Sequence, residues 1–299
     1  LGEAAAVCER AVHLLTQTKG GELQPETMQS MQAIGILAEL CRRRGRLEEA
    51  GLHAARLLRL KKQTIGEEDL STADTMFLLG QIYKRQGRNE EAAVYLRWAL
   101  KIRESNLGEN HLKTALSLHA LGNCFIQQAT HQPEKLHDAR ASFVRALKIR
   151  RKHFGVEHVE TALSLNCVAA VLYQQRRNQT AVDAYIKALE ILIRTVGYDN
   201  PSTADVLFNL GCVARDAMPA KQPHPASAAT AAAGAGAPCA SVSVAVDYLE
   251  RAKAIWTRCL GEAHPNALHA AEALAVVRGA SSIGGAEAKG EAKGEAKGD

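Results

Sequence analysis

Aromatic residues are scarce: 4% of the 299-residue chain is Phe, Trp or Tyr, although 46% is hydrophobic. Alanine supplies much of the apolar content. Small side chains at that density suit closely packed helices better than a β-sandwich, which draws on Val, Ile, Thr and aromatics, so an all-β fold is excluded. Long apolar runs are missing as well. No stretch of 18 or more uncharged apolar residues occurs, and mean hydropathy is −0.16, so no membrane insertion is expected. The seven cysteines contain no CxxC pair, and an odd count at irregular spacing does not describe a disulfide framework. A reducing compartment follows, and the chain is expected in the cytoplasm, with association to the cytoskeleton left open. The sequence opens on Leu1, and EAAAVCERAVHLL already has helical periodicity, so it is expected to start inside an element.

Catalytic signatures are also lacking. There is no GxSxG, P-loop or GxGxxG pattern, and His264 and His269 are five apart, the wrong spacing for two ligands on one helix face, with no HExxH glutamate. Cys167 and Cys212 have no basic residue placed by sequence to activate them. The chain is therefore expected to be no enzyme and to need no cofactor or metal. Charge is uneven, with 24 Lys and Arg against 17 Asp and Glu in residues 1–155 and 13 against 15 in residues 156–299. The first half can attract an acidic partner. Without an Arg/Lys stripe interleaved with aromatics, no nucleic-acid partner is expected.

What is present is a repeat. IGEEDLSTADT, LGENHLKTALS, FGVEHVETALS, VGYDNPSTADV and LGEAHPNALHA surround Gly66, Gly108, Gly155, Gly197 and Gly261, at spacings of 42, 47, 42 and 64. The two excesses over 42 fall in QQATHQPEKLHDA and in the Pro/Ala/Gly-rich residues 217–243, which read as loops. Within the unit TADTMFLLGQIYKRQGRNEEAAVYLRWALKIRESNLG, the apolar spacing predicts one helix from about Ser71 to Gln86, a break at Gly87 and a second helix from about Asn89 to Asn106. These form an antiparallel hairpin. Small residues recur where the two helices meet: Gly80, Gly122, Ala169 and Gly211 in the first, and Ala50, Ala92, Ala139, Ala181 and Ala245 early in the second. Larger ones fill the gaps beside them: Tyr83, Phe125 and Leu172 in the first helix, and Leu96, Phe143, Tyr185 and Leu249 in the second. His111, His158 and His264 share one place in the linker, which marks them as turn residues.

Gly80, Tyr83, Ala92 and Ala99 match the tetratricopeptide pattern in register, and the 42-residue period with RALKIR closing the second helix resembles the tetratricopeptide domain of kinesin light chains. The resemblance covers roughly residues 3–278. It implies an all-α, right-handed superhelical solenoid of antiparallel helix hairpins: a half repeat over 1–20, repeats from about 27, 69, 111, 158 and 200, and a capping helix over about 265–278. Residues 217–243 are expected to be a disordered insert, and residues 280–299, with their repeated GEAK unit, a disordered tail.

The resemblance further implies a concave face lined by the first helices. Carried onto this sequence, that face holds Glu39, Arg42 and Arg43; Phe77, Gln81, Lys84 and Arg85; His119, Asn123 and Gln127; Asn166, Ala170 and Tyr173; and Phe208, Cys212 and Arg215. Arg and Lys attract carboxylates, Asn and Gln can satisfy both polar groups of a peptide backbone, and Phe77 or Phe208 can flank an anchor pocket. The expected function is a non-catalytic scaffold that receives a peptide with acidic residues and an apolar anchor, as kinesin light chains receive tryptophan-plus-acidic cargo peptides. A kinesin heavy chain could be reached only through regions outside this sequence. The alternative reading is a subunit of a larger ciliary or transport assembly that grips a folded partner by its convex face.

Overall fold

The computed structural model describes residues 28–217 and 242–291. The chain divides into two compact units, Leu1–His153 and Phe154–Asp299. Among the described residues there are eleven helices and no strand. Unit 1 holds three hairpins: α1 (Met28–Arg43) with α2 (Leu47–Thr64), α3 (Leu70–Arg85) with α4 (Asn89–Leu107), and α5 (Leu112–Gln128) with α6 (Lys135–Phe154), whose last residue falls across the boundary. Unit 2 holds α7 (Val159–Gln174) with α8 (Asn178–Val196), α9 (Pro201–Asp216) with α10 (Val242–Leu260), and the closing helix α11 (Pro265–Glu291). The fold is all-α and built of antiparallel hairpins, as the periodicity predicts.

The repeated linker motif has a physical basis in the turn before each first helix. The glycine adopts a positive φ, from 87° to 110° at Gly66, Gly108, Gly155 and Gly197, a region open to Gly at little cost. Its carbonyl then accepts a hydrogen bond from the threonine six residues on: Thr72 at 2.8 Å, Thr114 at 3.0 Å, Thr161 at 2.8 Å and Thr203 at 2.9 Å. Between them sits the N-cap. Asp69 and Asn200 accept from a backbone N–H through a side-chain oxygen, and His111, His158 and His264 do the same through Nδ1. The histidines thus satisfy otherwise orphaned donors of the first turn, the turn role their register predicts.

Inside each hairpin the small residue lets the helices approach. A Cβ on Gly80 would come within 2.6 Å of the Leu96 side chain, one on Gly122 within 2.8 Å of Phe143, and one on Gly211 within 2.7 Å of Leu249. Phe143, Leu249 and Leu96 are fully buried there. In the fourth hairpin Ala169 takes the small position and Tyr185 is buried.

Two boundaries differ from expectation. The closing helix runs to Glu291 rather than ending near Arg278, so it enters the segment expected to be disordered; Ala, Glu and Lys are strong helix formers and continue the helix across the intervening glycines. Helix α10 already begins at Val242, inside the expected insert. The half repeat over 1–20, residues 218–241 of the insert and the last eight residues lie outside the described residues.

Candidate functional site

In unit 1 the first helices α1, α3 and α5 touch in succession, and in unit 2 α7 touches α9. Each row offers a face turned away from the small residues that meet the second helices.

At the α1 end, Glu39 collects both nearby arginines. Arg42 donates from Nε and NH2 to the two carboxylate oxygens at 2.7 Å each, and Arg43 Nε adds a third bond at 2.7 Å. The Arg42 hydrogen bond, partly opposed by burial, holds the Glu39 carboxyl below the usual carboxylate range. Two cations therefore share one acid, and Arg85 spends an N–H on the Arg42 carbonyl at 3.1 Å. The basic end is less free than its residue count suggests.

The centre of the face is different. Gln81, Lys84 and Asn123 make no side-chain hydrogen bond or ion pair among the described residues, and the Gln127 side chain is likewise open. Gln81 and Asn123 are half-buried, whereas Lys84 and Gln127 are exposed. His119 lies beside them, edge-on to Phe143 with ring centroids 5.4 Å apart, its Nδ1 buried without a partner. Burial, then the charges of Arg150 and Lys84, lowers its pKa to about 4, so the ring is neutral at pH 7. Burial pushes the nearby Cys124 thiol up to about 11, which removes it as a nucleophile at neutral pH.

Phe77 is half-buried on α3. It packs against the core and under the Arg103 guanidinium, 4.5 Å from ring centroid to Cζ. Arg103, buried to 3% exposure, donates to Asp74 on α3 at 2.7 Å and to Ser117 on α5 at 2.7 Å, while Lys113 reaches the other oxygen of Asp74 at 2.9 Å. This clamp ties two hairpins together. The repeat pattern does not mark this clamp, although Arg103 closes WALKIR, the second hairpin's counterpart of RALKIR.

In unit 2 the face is tied to itself. Asn209 donates to Asn166 at 3.0 Å, and the Tyr173 hydroxyl donates to Asp216, which also accepts from Arg215 Nε at 2.7 Å. Burial would raise Asp216, but Arg215 and Tyr173 outweigh it and hold the carboxyl low. Burial and that bond push the Tyr173 hydroxyl well up. Ala170 and Cys212 are half-buried, and burial raises the Cys212 thiol. Phe208 is half-buried and packs against the core beside Trp256, ring centroids 5.4 Å apart. The predicted polar residues thus divide into a paired group at the α1 end, Glu39, Arg42, Arg43 and Arg85, an open patch of Gln81, Lys84, Asn123 and Gln127 beside it in unit 1, and a paired group of Asn166, Asn209, Tyr173 and Arg215 in unit 2.

Residues 29–105 and 160–218 match the tetratricopeptide repeat family. No curated protein matches the chain by sequence. Among solved structures, BtubC (BKLC) from P. vanneervenii is 22% identical with a TM-score of 0.62, covering 88% of this chain and 93% of that one. A kinesin light chain-like protein of nearly identical TPR-like repeats from Podosopora anserina is 19% identical with a TM-score of 0.57, over 79% of this chain and 98% of that one. The apo form of RapI is 14% identical with a TM-score of 0.59, over 93% and 90%. At these identities the likeness is one of fold.

Proposed function

We propose that the α1–α3–α5 face of unit 1 binds an extended or partly helical peptide carrying an acidic residue, since residues 29–105 and 160–218 match the tetratricopeptide repeat family, a helical scaffold of the kind that mediates protein–protein contact. One observation carries the reading: Gln81, Lys84 and Asn123 stand together on adjacent first helices with their hydrogen-bonding groups unspent. Two amides offer donors and acceptors to a peptide backbone, and Lys84 offers a cation to a carboxylate. The neutral His119 ring adds no competing charge. Arg42 and Arg43 contribute the remaining positive charge not cancelled by Glu39, which orients an acidic segment toward the α1 end. Phe77 supports the face from below rather than flanking an anchor pocket. This function is non-catalytic: it needs complementarity, not a nucleophile.

The test compares the parent with Lys84→Glu plus Asn123→Ala, and with Asn209→Ala in unit 2 as a control, after circular dichroism shows equal helix content. A partner recovered from cytosol and reduced to its binding peptide should lose at least about tenfold affinity for the first variant, as loss of a charge-assisted bond implies, and little for the second. Equal affinity for all three proteins sinks the reading and moves the search to the second-helix face.

A further inference from the structure

The second helices carry a register position six residues after the early alanine. Read from Ala50, Ala92, Ala139, Ala181 and Ala245, it is Arg56, Trp98, Arg145, Lys187 and Arg251. It is basic in four hairpins and tryptophan in one. In the third hairpin Arg145 reaches back to Glu104 on α4 at 2.7 Å and bridges neighbouring second helices. One hairpin earlier the corresponding residues are Trp98 and Lys62, which cannot pair in that way. Trp98 stands 52% exposed.

A second position behaves alike. In the fourth and fifth hairpins, the acid two residues after the linker glycine is held by an arginine near the end of the second helix. Arg194 binds Glu157 at 2.8 Å, and Arg258 binds Asp199 through two bonds at 2.8 and 2.9 Å. The same places in the second hairpin are Glu68 and Ser105. Serine cannot supply the cation, and the Glu68 carboxylate has no ion-pair partner among the described residues.

Both substitutions open onto one cavity of about 320 Å³ between α2 and α4. Its floor is Leu58, Met76 and Ile102, and its walls include Trp98 and Tyr95. Glu68 sits at the rim, its backbone carbonyl fixed by Asn106 Nδ2 at 3.1 Å. Of the rim lysines, Lys62 is taken by Glu67 at 3.1 Å, and Lys101 lies 5.7 Å from the Trp98 ring centroid. Two cations that other hairpins supply from their own chain are thus missing from one apolar, aromatic-walled hollow.

We propose that this cavity takes an arginine side chain from a partner peptide, which supplies in trans what Arg194 and Arg258 supply in cis. The aliphatic stem covers the apolar floor, the planar guanidinium stacks on Trp98, and its N–H groups pair with Glu68. Lys101 is the competitor that the guanidinium must displace from the indole.

The probe is acetyl-Ala-Leu-Arg-Leu-Ala-amide, titrated against the full chain while the indole N–H resonances are followed by NMR. Trp256, 2% exposed, is the internal control. A saturable shift confined to Trp98 is expected, at least about tenfold weaker with citrulline in place of arginine, where the shape stays and the charge goes. Glu68→Gln should weaken binding comparably, and Ser105→Arg, which rebuilds the chain's own clamp, should abolish it. Lys101→Ala should tighten it. All three substitutions are at exposed positions, and unchanged helix content by circular dichroism, with an unchanged pattern of unit 1 amide resonances away from the cavity, reports an intact fold. Equal shifts with arginine and citrulline, preference for a glutamate-containing peptide, or indifference to both Glu68→Gln and Ser105→Arg would overturn the proposal. Loss of groove binding by the Lys84 variant leaves this site untouched, so the two readings fail separately.

Discussion

Asp74 in unit 1 and Asp205 in unit 2 occupy the same place in the motif STAD, yet the two carboxylates are kept in opposite ways. Asp74 accepts from Arg103 and Lys113, and although its burial opposes ionisation, those two bonds outweigh it and hold the carboxyl below the usual range. In unit 2 the residue in Arg103's register is Trp256. Burial pushes Asp205 up, opposed only by the Trp256 indole and the His264 charge. The indole N–H lies close enough to favour the ionised form but outside hydrogen-bond geometry, since Nε1 has no partner. One repeat position therefore serves as an electrostatic clamp in one unit and as an aromatic packing site in the other, with Trp256 buried against Phe208. The hairpin array tolerates both because its fold rests on the small-residue contacts and the linker turn, not on this pair.

The largest test removes the clamp. Arg103→Met keeps the stem's volume but strands Asp74 with Lys113 alone and removes the cation from the Phe77 face. Breaking a fully buried pair costs about 3–5 kcal/mol; with Asp74 43% exposed, a loss of about 2–3 kcal/mol in unit 1 is expected. Denaturant unfolding followed by Trp98 emission, in unit 1, should move to lower denaturant, while the Trp256 signal in unit 2 moves less. Equal movement of both signals would show that the clamp is not local to its unit.

The next test is the pair Asp74→Asn and Asp205→Asn across pH. A carboxyl held low in the folded chain adds stability above its unfolded pKa, and that stability is lost as pH falls through the folded value. Asp74 should therefore help unit 1 at pH 7 and cease to help in acid. A carboxyl held high costs stability above its folded pKa, and the cost disappears as pH falls below the unfolded value. Asp205 should therefore weaken unit 2 at pH 7 and cease to do so in acid. At pH 7 the first substitution should destabilise and the second should stabilise, each difference shrinking toward zero in acid. The same sign for both at pH 7 would break the comparison.

Much of this was legible in the sequence because the repeat supplies its own alignment. The linker Gly, cap and Thr recur in order, so the helix bounds of the second hairpin fall within a residue of expectation: α3 spans Leu70–Arg85 against an expected Ser71–Gln86, and α4 Asn89–Leu107 against Asn89–Asn106. The candidate face was legible by position but not by occupancy. Glu39 precedes Arg42 and Arg43 by three and four residues, a spacing at which helical side chains meet, so its pairing could have been foreseen. For Phe77 and Phe208 the sequence left packing between repeats and an anchor pocket equally open, and their half-buried places against the core depend on Arg103 and Trp256 arriving from another helix. Trp98 needed only the register comparison, in which it replaces four basic residues. The length of α11 turned on the balance between good helix formers and glycine, which composition alone leaves close to even.

The smallest effect sharpens the comparison at the turn inside the hairpin. Gly45 and Gly87 make that turn in unit 1 at φ of 79° and 80°, where a side chain is strained. In the fourth hairpin, in unit 2, the same register position is Arg176, the single non-glycine residue with positive φ among the described residues, at 61°. A residue with a Cβ in this region costs about 1 kcal/mol or more, and glycine returns part of that through its greater freedom in the unfolded chain. Arg176→Gly should therefore stabilise unit 2 by about 0.5–1 kcal/mol, read from the Trp256 transition, at the expense of a weak attraction between Arg176 and Asp216. Gly87→Ala should shift the Trp98 transition the other way by a similar amount, because the strain is introduced where it was absent. If Arg176→Gly instead destabilises, the arginine is contributing more through its charge beside Asp216 than its backbone costs, and the paired set of Tyr173, Arg215 and Asp216 would have to be counted as a load on this turn as well.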